Sequence, residues 1–197
     1  MKKIKGRSSA LLCREYGITP PLWARGYLAR SVGRVRVQSV KRYIAQQAER
    51  HGYAKRALPP VFRFRALEPA LLGTAHAAFD LTHHIVFATT YRKGIFDSKI
   101  GKALVSYWIN VAAKREFALD QATVLPDHVH MLVRTTPKLT IEQVAISLMN
   151  NGQYFVAKHF PGVMVEAKID QLWQPSAYAG TCGELTTALL KAFLRGE

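Results

Sequence analysis

Two histidines, His128 and His130, lie two residues apart in an apolar, β-branched stretch that follows Pro126-Asp127. Such a stretch after a turn predicts a strand. Side chains two apart on a strand project from one face, so the two imidazoles lie side by side. Neutral imidazoles at that spacing can bind one divalent metal ion. Two partly buried histidines that only make hydrogen bonds are the alternative, and the spacing alone leaves both open.

An upstream helix carries the groups that this pair lacks. A catalytic metal site needs a further ligand and an open position for substrate. Residues 37–51 predict a helix on which Tyr43 and Gln47 are four apart, on one face. A Gln carbonyl is a suitable ligand for Mg²⁺ or Mn²⁺, and a Tyr hydroxyl can attack a phosphate. Taken singly, Tyr43 is better interpreted as an amphipathic surface residue and Gln47 as a solvated polar residue.

The elements that must position these groups alternate along the second part of the chain. Hydrophobic periodicity and β-propensity predict strands at 82–91, 117–125, 127–134 and 177–181, and helices at 98–115, at 140–159 and from about 185. The order β-α-β-β-α-β-α predicts an α+β fold, a ferredoxin-like antiparallel sheet with helices packed on it.

Part of this pattern occurs twice. An offset of 150 residues maps Leu22-Trp23 onto Leu172-Trp173, Gly33 onto Gly183 and Tyr43 onto Phe193. An ungapped match that includes Trp and Gly indicates a duplication. We therefore predict three parts: residues 1–53 as a duplicated strand-helix element carrying Tyr43 and Gln47, residues 54–78 as a linker or crossover, and residues 79–197 as the main domain with a degenerate terminal helix.

The positive charge is concentrated near the amino terminus. The formal charge is +15 and the pI about 10.1, and residues 1–65 carry a net +14 of it. Such a block suits a polyphosphate, since each neutralised phosphate releases counterions. A membrane surface is the other anionic partner, but no segment has the roughly 20 apolar residues of a spanning helix. Cys13 and Cys182 match no zinc spacing and indicate a reducing cytoplasm.

Cations surround the proposed tyrosine. The acids that would balance them are missing from this part of the sequence, which favours a DNA backbone track over a merely solvated face. A second group follows the strand at 82–91. The predicted DNA-binding residues are Arg25, Arg30, Arg34, Arg36, Lys41 and Arg42, together with Tyr91, Arg92 and Lys93.

Several of these motifs together resemble one family. The sequence Leu-Pro-Asp-His-Val-His-Met-Leu-Val at 125–133 resembles the motif of the HUH single-tyrosine transposases of small insertion sequences (the TnpA type, with their REP-associated relatives). Arg-Tyr-Ile-Ala-Gln-Gln at 42–47 resembles the family's tyrosine helix, and residues 82–87 its first strand. The resemblance covers residues 5–51 and 79–197.

The resemblance implies a chemistry. In that family the His pair and a Gln hold the metal, and a Tyr four residues before the Gln is the nucleophile. It implies Tyr43 as catalytic residue, His128, His130 and Gln47 as ligands of Mg²⁺ or Mn²⁺, and cleavage and rejoining of single-stranded, hairpin-containing DNA through a 5′-phosphotyrosine. It also implies a homodimer in which the tyrosine helix serves its own chain or a partner.

The order of the parts departs from the family. There the tyrosine helix follows the histidine strand, whereas here it precedes it, and the copy in the expected place has Phe193, which has no hydroxyl. Two functions therefore stay open, an active transposase or a catalytically decayed or domesticated one that only binds DNA. His83 and His84 face opposite ways, so at most one of them could approach the metal, and we expect packing for both. Asp127 points away from the pair by strand alternation, and we expect for it a structural role or support of the ligands and not ligation.

Overall fold

The computed structural model describes residues 2–23, 27–31, 33, 35–47, 62–67, 72–74 and 77–183. In these residues the helices are α1 (Lys2–Tyr16), α2 (Val37–Ala45), α3 (Ser98–Lys114), α4 (Ile141–His159) and α5 (Pro161–Ala167). The strands are β1 (Tyr27–Arg30), β2 (Phe62–Arg65), β3 (Leu72–Thr74), β4 (Ala77–Thr89), β5 (Ala118–Leu125), β6 (His128–Thr135) and β7 (Trp173–Cys182).

The central sheet has the predicted topology. Strand β4 lies between β7 and β6, β6 pairs with β5, and all three pairings are antiparallel. Helix α3 connects β4 to β5, and α4 lies between β6 and β7 in the chain. This β-α-β-β-α-β unit is ferredoxin-like, so the predicted fold class is confirmed.

One face of the sheet carries the main hydrophobic core. Helices α3 and α4 pack there, and Trp108, Phe87 and Leu148 are almost completely buried. The Trp108 indole donates a hydrogen bond to the Leu148 carbonyl (2.8 Å), which satisfies its polar atom inside the core. Truncating such a residue costs roughly 3–5 kcal/mol.

The opposite face carries α2. Val40 and Ile44 are buried with Leu132 and Cys182 in a second, smaller cluster. Two polar side chains of β5 hold the helix from below, because Gln121 Nε2 donates to the Lys41 carbonyl (3.0 Å) and Thr123 Oγ1 to the Ile44 carbonyl (2.9 Å). The predicted tyrosine helix is therefore packed on the sheet of its own chain.

The predicted bounds of α3, α4, β5 and β6 agree with the structure to within a residue, whereas β4 begins five residues before the predicted strand and β7 is longer than predicted at both ends. Thr140 caps α4 with the expected capping box to Gln143. Two short strands, β2 and β3, lie in the stretch predicted as a linker or crossover, and α5, which Pro161 begins, was not predicted. The predicted terminal helix, with Phe193, lies outside the described residues. No helix of the described part is long and apolar enough to cross a membrane.

Candidate active site

His128 and His130 lie side by side on β6, as their spacing predicts. Their ring centroids are 5.0 Å apart, and the residues are 2% and 5% exposed. Strand β6 lies between β4 and β5, so the two histidines are on a central strand that is hydrogen-bonded to a neighbouring strand on each side. This position fixes the two imidazoles rigidly relative to each other.

Asp127 orients His128 from the turn before β6. Its Oδ1 is 2.6 Å from His128 Nδ1, and its Oδ2 is 2.9 Å from Arg92 Nε. Burial raises the pKa of Asp127, but the hydrogen bond with His128 and the charges of His128 and Arg92 outweigh burial and bring that pKa below its ordinary value. Asp127 is therefore a carboxylate at neutral pH that binds Nδ1 and leaves Nε2 to face a ligand.

His84 of β4 plays the corresponding part for His130. His84 Nε2 lies 3.2 Å from His130 Nδ1, and the two rings are stacked with centroids 5.4 Å apart. Burial lowers the pKa of His84 to about 4, so its ring is neutral at pH 7 and its Nε2 can accept a hydrogen bond from His130 Nδ1–H. In that tautomer His130 presents Nε2. His84 is thus the one of the two adjacent histidines that approaches the histidine pair, whereas His83 turns away toward Thr135.

Tyr43 meets these histidines edge-on. Its ring centroid is 5.6 Å from that of His130 and 5.9 Å from that of His84, with interplanar angles of 79° and 78°. The residue is 36% exposed, so one side of the ring contacts the imidazoles and the other reaches solvent. The structure thus brings the proposed nucleophile next to His130 of the histidine pair and to His84, within one chain.

Gln47 lies one turn beyond Tyr43 and is completely buried. Its Nε2 donates to the Tyr43 carbonyl (2.9 Å), so the amide oxygen is the atom that can act as a ligand. Helix α2 passes over Gln121 at Lys41 and over Thr123 at Ile44, and therefore runs toward Leu125, which pairs with His128. Gln47 follows α2 in the chain, at the end of the helix that points toward Leu125.

The donor set fits a divalent cation. In the described residues, no three His, Cys, Asp or Glu side chains are grouped to hold a metal ion. A metal at this site would therefore need a ligand of another type beside His128 and His130, and a Gln amide oxygen such as that of Gln47 is one that Mg²⁺ or Mn²⁺ accepts. Both imidazoles have their Nδ1 held by a neighbour, as ligating histidines have.

The predicted DNA-binding residues lie in two places. Arg36 precedes the first residue of α2, and Lys41 and Arg42 lie within that helix. Tyr91, Arg92 and Lys93 lie in the turn after β4, beside Asp127. Thr89 Oγ1 donates a hydrogen bond to the Asp127 carbonyl (3.0 Å) and holds this turn next to it. Tyr91 is 78% exposed, whereas the Arg92 guanidinium forms an ion pair with Asp127 through Nε. Arg25, Arg34 and the side chain of Arg30 lie outside the described residues.

Tyr178 of β7 is a further aromatic residue at the site that the sequence did not single out. Its ring is 5.8 Å from that of His84, and it is 61% exposed. Its position follows from the pairing of β7 with β4, in which Tyr178 lies opposite Val86 and Val86 lies opposite His130. No local pattern could have shown this, because the pairing joins residues about 90 positions apart.

The chain matches transposases in sequence. A sequence model of the family described as "Transposase IS200 like" matches residues 1–47 and 77–197. The chain is 23% identical over 119 residues to the ISDra2 transposase TnpA of Deinococcus radiodurans, covering 60% of this chain and 85% of that protein. It is 24% identical over 123 residues to the transposase for insertion sequence element IS200 of Salmonella typhimurium, covering 62% and 80%.

Two solved structures are also similar. One, from Deinococcus radiodurans, is described as a transposase and has a TM-score of 0.49 and 25% identity, covering 59% of this chain and 89% of that one. The other is a REP-associated tyrosine transposase bound to a REP hairpin, with a TM-score of 0.38 and 12% identity, covering 66% and 68%. Because the family model spans most of the sequence, including the Tyr43 helix and the histidine strand, the chain belongs to the family of IS200-like transposases.

Proposed function

We propose that this transposase is catalytically active, with Tyr43 as nucleophile, and that it cuts and rejoins single-stranded DNA. Membership in a transposase family implies DNA cleavage and strand transfer. The observation that carries the proposal is the position of the Tyr43 ring against His130 and His84 of the same chain. The unusual order of the parts has therefore not separated the tyrosine from the histidine pair.

The chemistry is a transesterification. Tyr43 attacks phosphorus, a bond forms between its phenolic oxygen and phosphorus, and the bond from phosphorus to the 3′ oxygen breaks. The departing 3′ oxygen takes up a proton in place of the one that Tyr43 releases, which leaves a 3′-hydroxyl and a 5′-phosphotyrosine. Attack by another 3′-hydroxyl reverses the step, so strands are rejoined without an external energy source.

The chain's own residues bind and orient. His128, His130 and Gln47 would hold Mg²⁺ or Mn²⁺, whose contribution when bound is Lewis-acid polarisation of the scissile phosphate. Asp127 and His84 fix the tautomers of the two imidazoles. Gln121 and Thr123 anchor α2, so that Tyr43 is held in place before substrate arrives.

The substrate we propose is hairpin-containing single-stranded DNA, handled in the cytoplasm. The basic residues of α2 and the exposed Tyr91 suit a strand that follows a charged surface and stacks on an aromatic ring. A relative has been solved bound to a REP hairpin. The alternative, a decayed transposase that binds DNA without cutting it, predicts tight binding and no covalent product.

The test is covalent capture of DNA. The full chain is incubated with hairpin-bearing single strands, labelled at the 5′ or the 3′ end, with Mg²⁺ or Mn²⁺, and the adduct is followed on denaturing gels. We expect an adduct on the fragment 3′ of the cut that is lost in Tyr43→Phe and when the metal is chelated. Tyr178→Phe is the matched control, because its ring also lies edge-on to His84. Loss of the adduct in Tyr178→Phe but not in Tyr43→Phe overturns the assignment.

A further inference from the structure

We propose that α2 and β2 together form a binding pocket for a backbone phosphate of the DNA strand, with Arg65 as its central ligand. The identity of the strand rests on the proposed function, but the pocket itself follows from the packing of β2. No residue of β2 was predicted to bind DNA.

The alternating sequence of β2 places its two phenylalanines on one face of the sheet and its two arginines on the other. Phe62 and Phe64 are half-buried and pack against the main core, where Gly101 of α3 leaves room for Phe62. Because strand side chains alternate, Arg63 and Arg65 point to the other face of the sheet, and both are exposed. That is the face on which α2 lies.

The register places Arg65 next to α2. Strand β2 pairs antiparallel with β5, with Arg65 opposite Gln121. Opposed side chains of an antiparallel pair share a face, with Cβ atoms about 4.5–5.5 Å apart. Gln121 in turn donates to the Lys41 carbonyl (3.0 Å), so a single residue of β5 touches the helix and faces the arginine. Helix and edge strand thus form the two walls of one depression.

The depression is a pocket of about 250 Å³, and five of its six lining residues carry a polar or cationic group. It is lined by Gln38, Lys41, Arg42, Ala45, Arg65 and Gln121. In the part of the chain that the structure describes, no carboxylate pairs with Lys41, Arg42 or Arg65. Three cations without a counter-ion favour an anion, and a volume below the roughly 300 Å³ of ordinary ligand pockets suits a single charged group.

The lining identifies that group as a phosphate that is bound without regard to sequence. One guanidinium group can donate hydrogen bonds to two oxygens of the same phosphate, and two of the three cations are arginines. None of the six lining residues has an aromatic ring on which a base could stack. The pocket lies on a different face of α2 from Tyr43, because its lining residues Gln38, Lys41, Arg42 and Ala45 recur at helical spacing and Tyr43 is not one of them. It therefore takes a neighbouring phosphate of the strand and not the scissile one.

Arg65 also comes from outside the part of the chain that the family shares. The family model matches residues 1–47 and 77–197, and β2 lies between these segments. The segment between the two matched parts thus supplies a third element that binds the DNA strand, in addition to α2 and the turn after β4.

The test measures binding without cleavage. Affinity for a single-stranded oligonucleotide is determined across salt concentrations, without divalent metal, for wild type, Arg65→Gln, Arg65→Lys and the control Lys102→Gln, which removes an exposed cation from α3 on the opposite face. We expect Arg65→Gln to weaken binding roughly fivefold and to lower the salt slope by about 0.7, as loss of one phosphate contact does. Arg65→Lys should keep the slope, and Lys102→Gln should change neither quantity.

Single neutral methylphosphonate linkages locate the phosphate. A methylphosphonate at one position should reduce the affinity of the wild type as much as Arg65→Gln does. The same methylphosphonate should not reduce the affinity of Arg65→Gln further, since both changes remove the same contact. Equal affinity and slope in wild type and Arg65→Gln overturn the pocket, even if Tyr43 forms an adduct. An Arg65 effect of the same size in a chain that forms no adduct overturns the proposed activity and leaves the pocket standing.

Discussion

The backbone N–H of Gly33 donates a hydrogen bond to the carbonyl of Gly183 (3.1 Å), and these are equivalent residues of the internal repeat. Strand β1 runs parallel to β4 and ends at Arg30, opposite Asp80. Strand β7 runs antiparallel to β4 and ends at Cys182, opposite Thr82, so the carboxyl ends of β1 and β7 meet. Ser31 Oγ donates to the Cys182 carbonyl across this junction. We call Ser31, Gly33, Cys182 and Gly183 the joint. Helix α2 begins at Val37, four residues after Gly33.

We predict that Gly33→Ala destabilises the protein and reduces adduct formation. A Cβ on Gly33 would collide with the backbone carbonyl of Thr181, which cannot move without breaking the pairing of β7. The expected loss is on the order of 1–3 kcal/mol in the free energy of unfolding, measured by chemical denaturation. The control is Gly162→Ala in α5, where nothing lies within 4 Å and the helix should gain up to ~1 kcal/mol. Equal stability of the two variants would contradict the importance of the joint.

Burial of Cys182 in the joint gives a second prediction. It is 2% exposed, and burial raises the pKa of its thiol, so less of it is thiolate at any given pH. With a thiol reagent at about pH 8, we expect Cys13, which is half-buried on α1, to react first and Cys182 only on unfolding. Mass spectrometry of labelled peptides distinguishes the two sites. Rapid labelling of Cys182 in the native protein would show that the joint opens.

Asp127→Asn should weaken metal binding by about 10–100-fold, because the carboxylate that holds His128 Nδ1 also raises the basicity of the ring. Titration of Mn²⁺ followed by electron paramagnetic resonance measures this without requiring activity. Glu116→Gln is the control, since Glu116 pairs with Lys138 at an exposed position. An unchanged Mn²⁺ affinity in Asp127→Asn would mean that Asp127 supports the turn and not the ligand.

His83 and His84 form a matched pair for the opposite side of the site. His84→Phe removes the partner of His130 Nδ1, and we expect Mn²⁺ affinity to fall by about tenfold, while His84→Gln, which can still accept a hydrogen bond, loses less. His83→Gln should have no effect on binding, because His83 contacts Thr135 instead. Similar losses in the variants of both histidines would indicate a general effect of disturbing β4.

The histidine pair and the main-domain elements could be predicted because they depend on local patterns. Strand alternation places His128 and His130 together whatever strand lies beside them. The same rule shows that His83 and His84 face opposite ways, but not which of them faces the metal site. That depends on the pairing of Val86 with His130, which is a contact between distant parts of the chain.

The edge strand β2 was missed for a similar reason. Its Phe-Arg-Phe-Arg pattern alternates over only four residues, beside Pro59-Pro60, and this favoured a linker. Its pairing with β5 and the cover that α3 gives to Phe62 stabilise a strand that the local sequence only permits. The position of Arg65 beside α2, where it lines the pocket, follows from that pairing alone.

The position of α2 on its own sheet leads to the last prediction, which concerns the predicted homodimer. Tyr43→Phe and His130→Ala each remove one half of the site, and each alone should form no adduct. If Tyr43 serves its own chain, as the anchoring of α2 by Gln121 and Thr123 favours, mixing the two variants restores nothing. If dimers exchange this helix, random pairing restores about a quarter of the wild-type sites. The comparison is made after co-refolding, so that slow exchange cannot conceal complementation. Adduct at about a quarter of the wild-type level would assign Tyr43 to the partner.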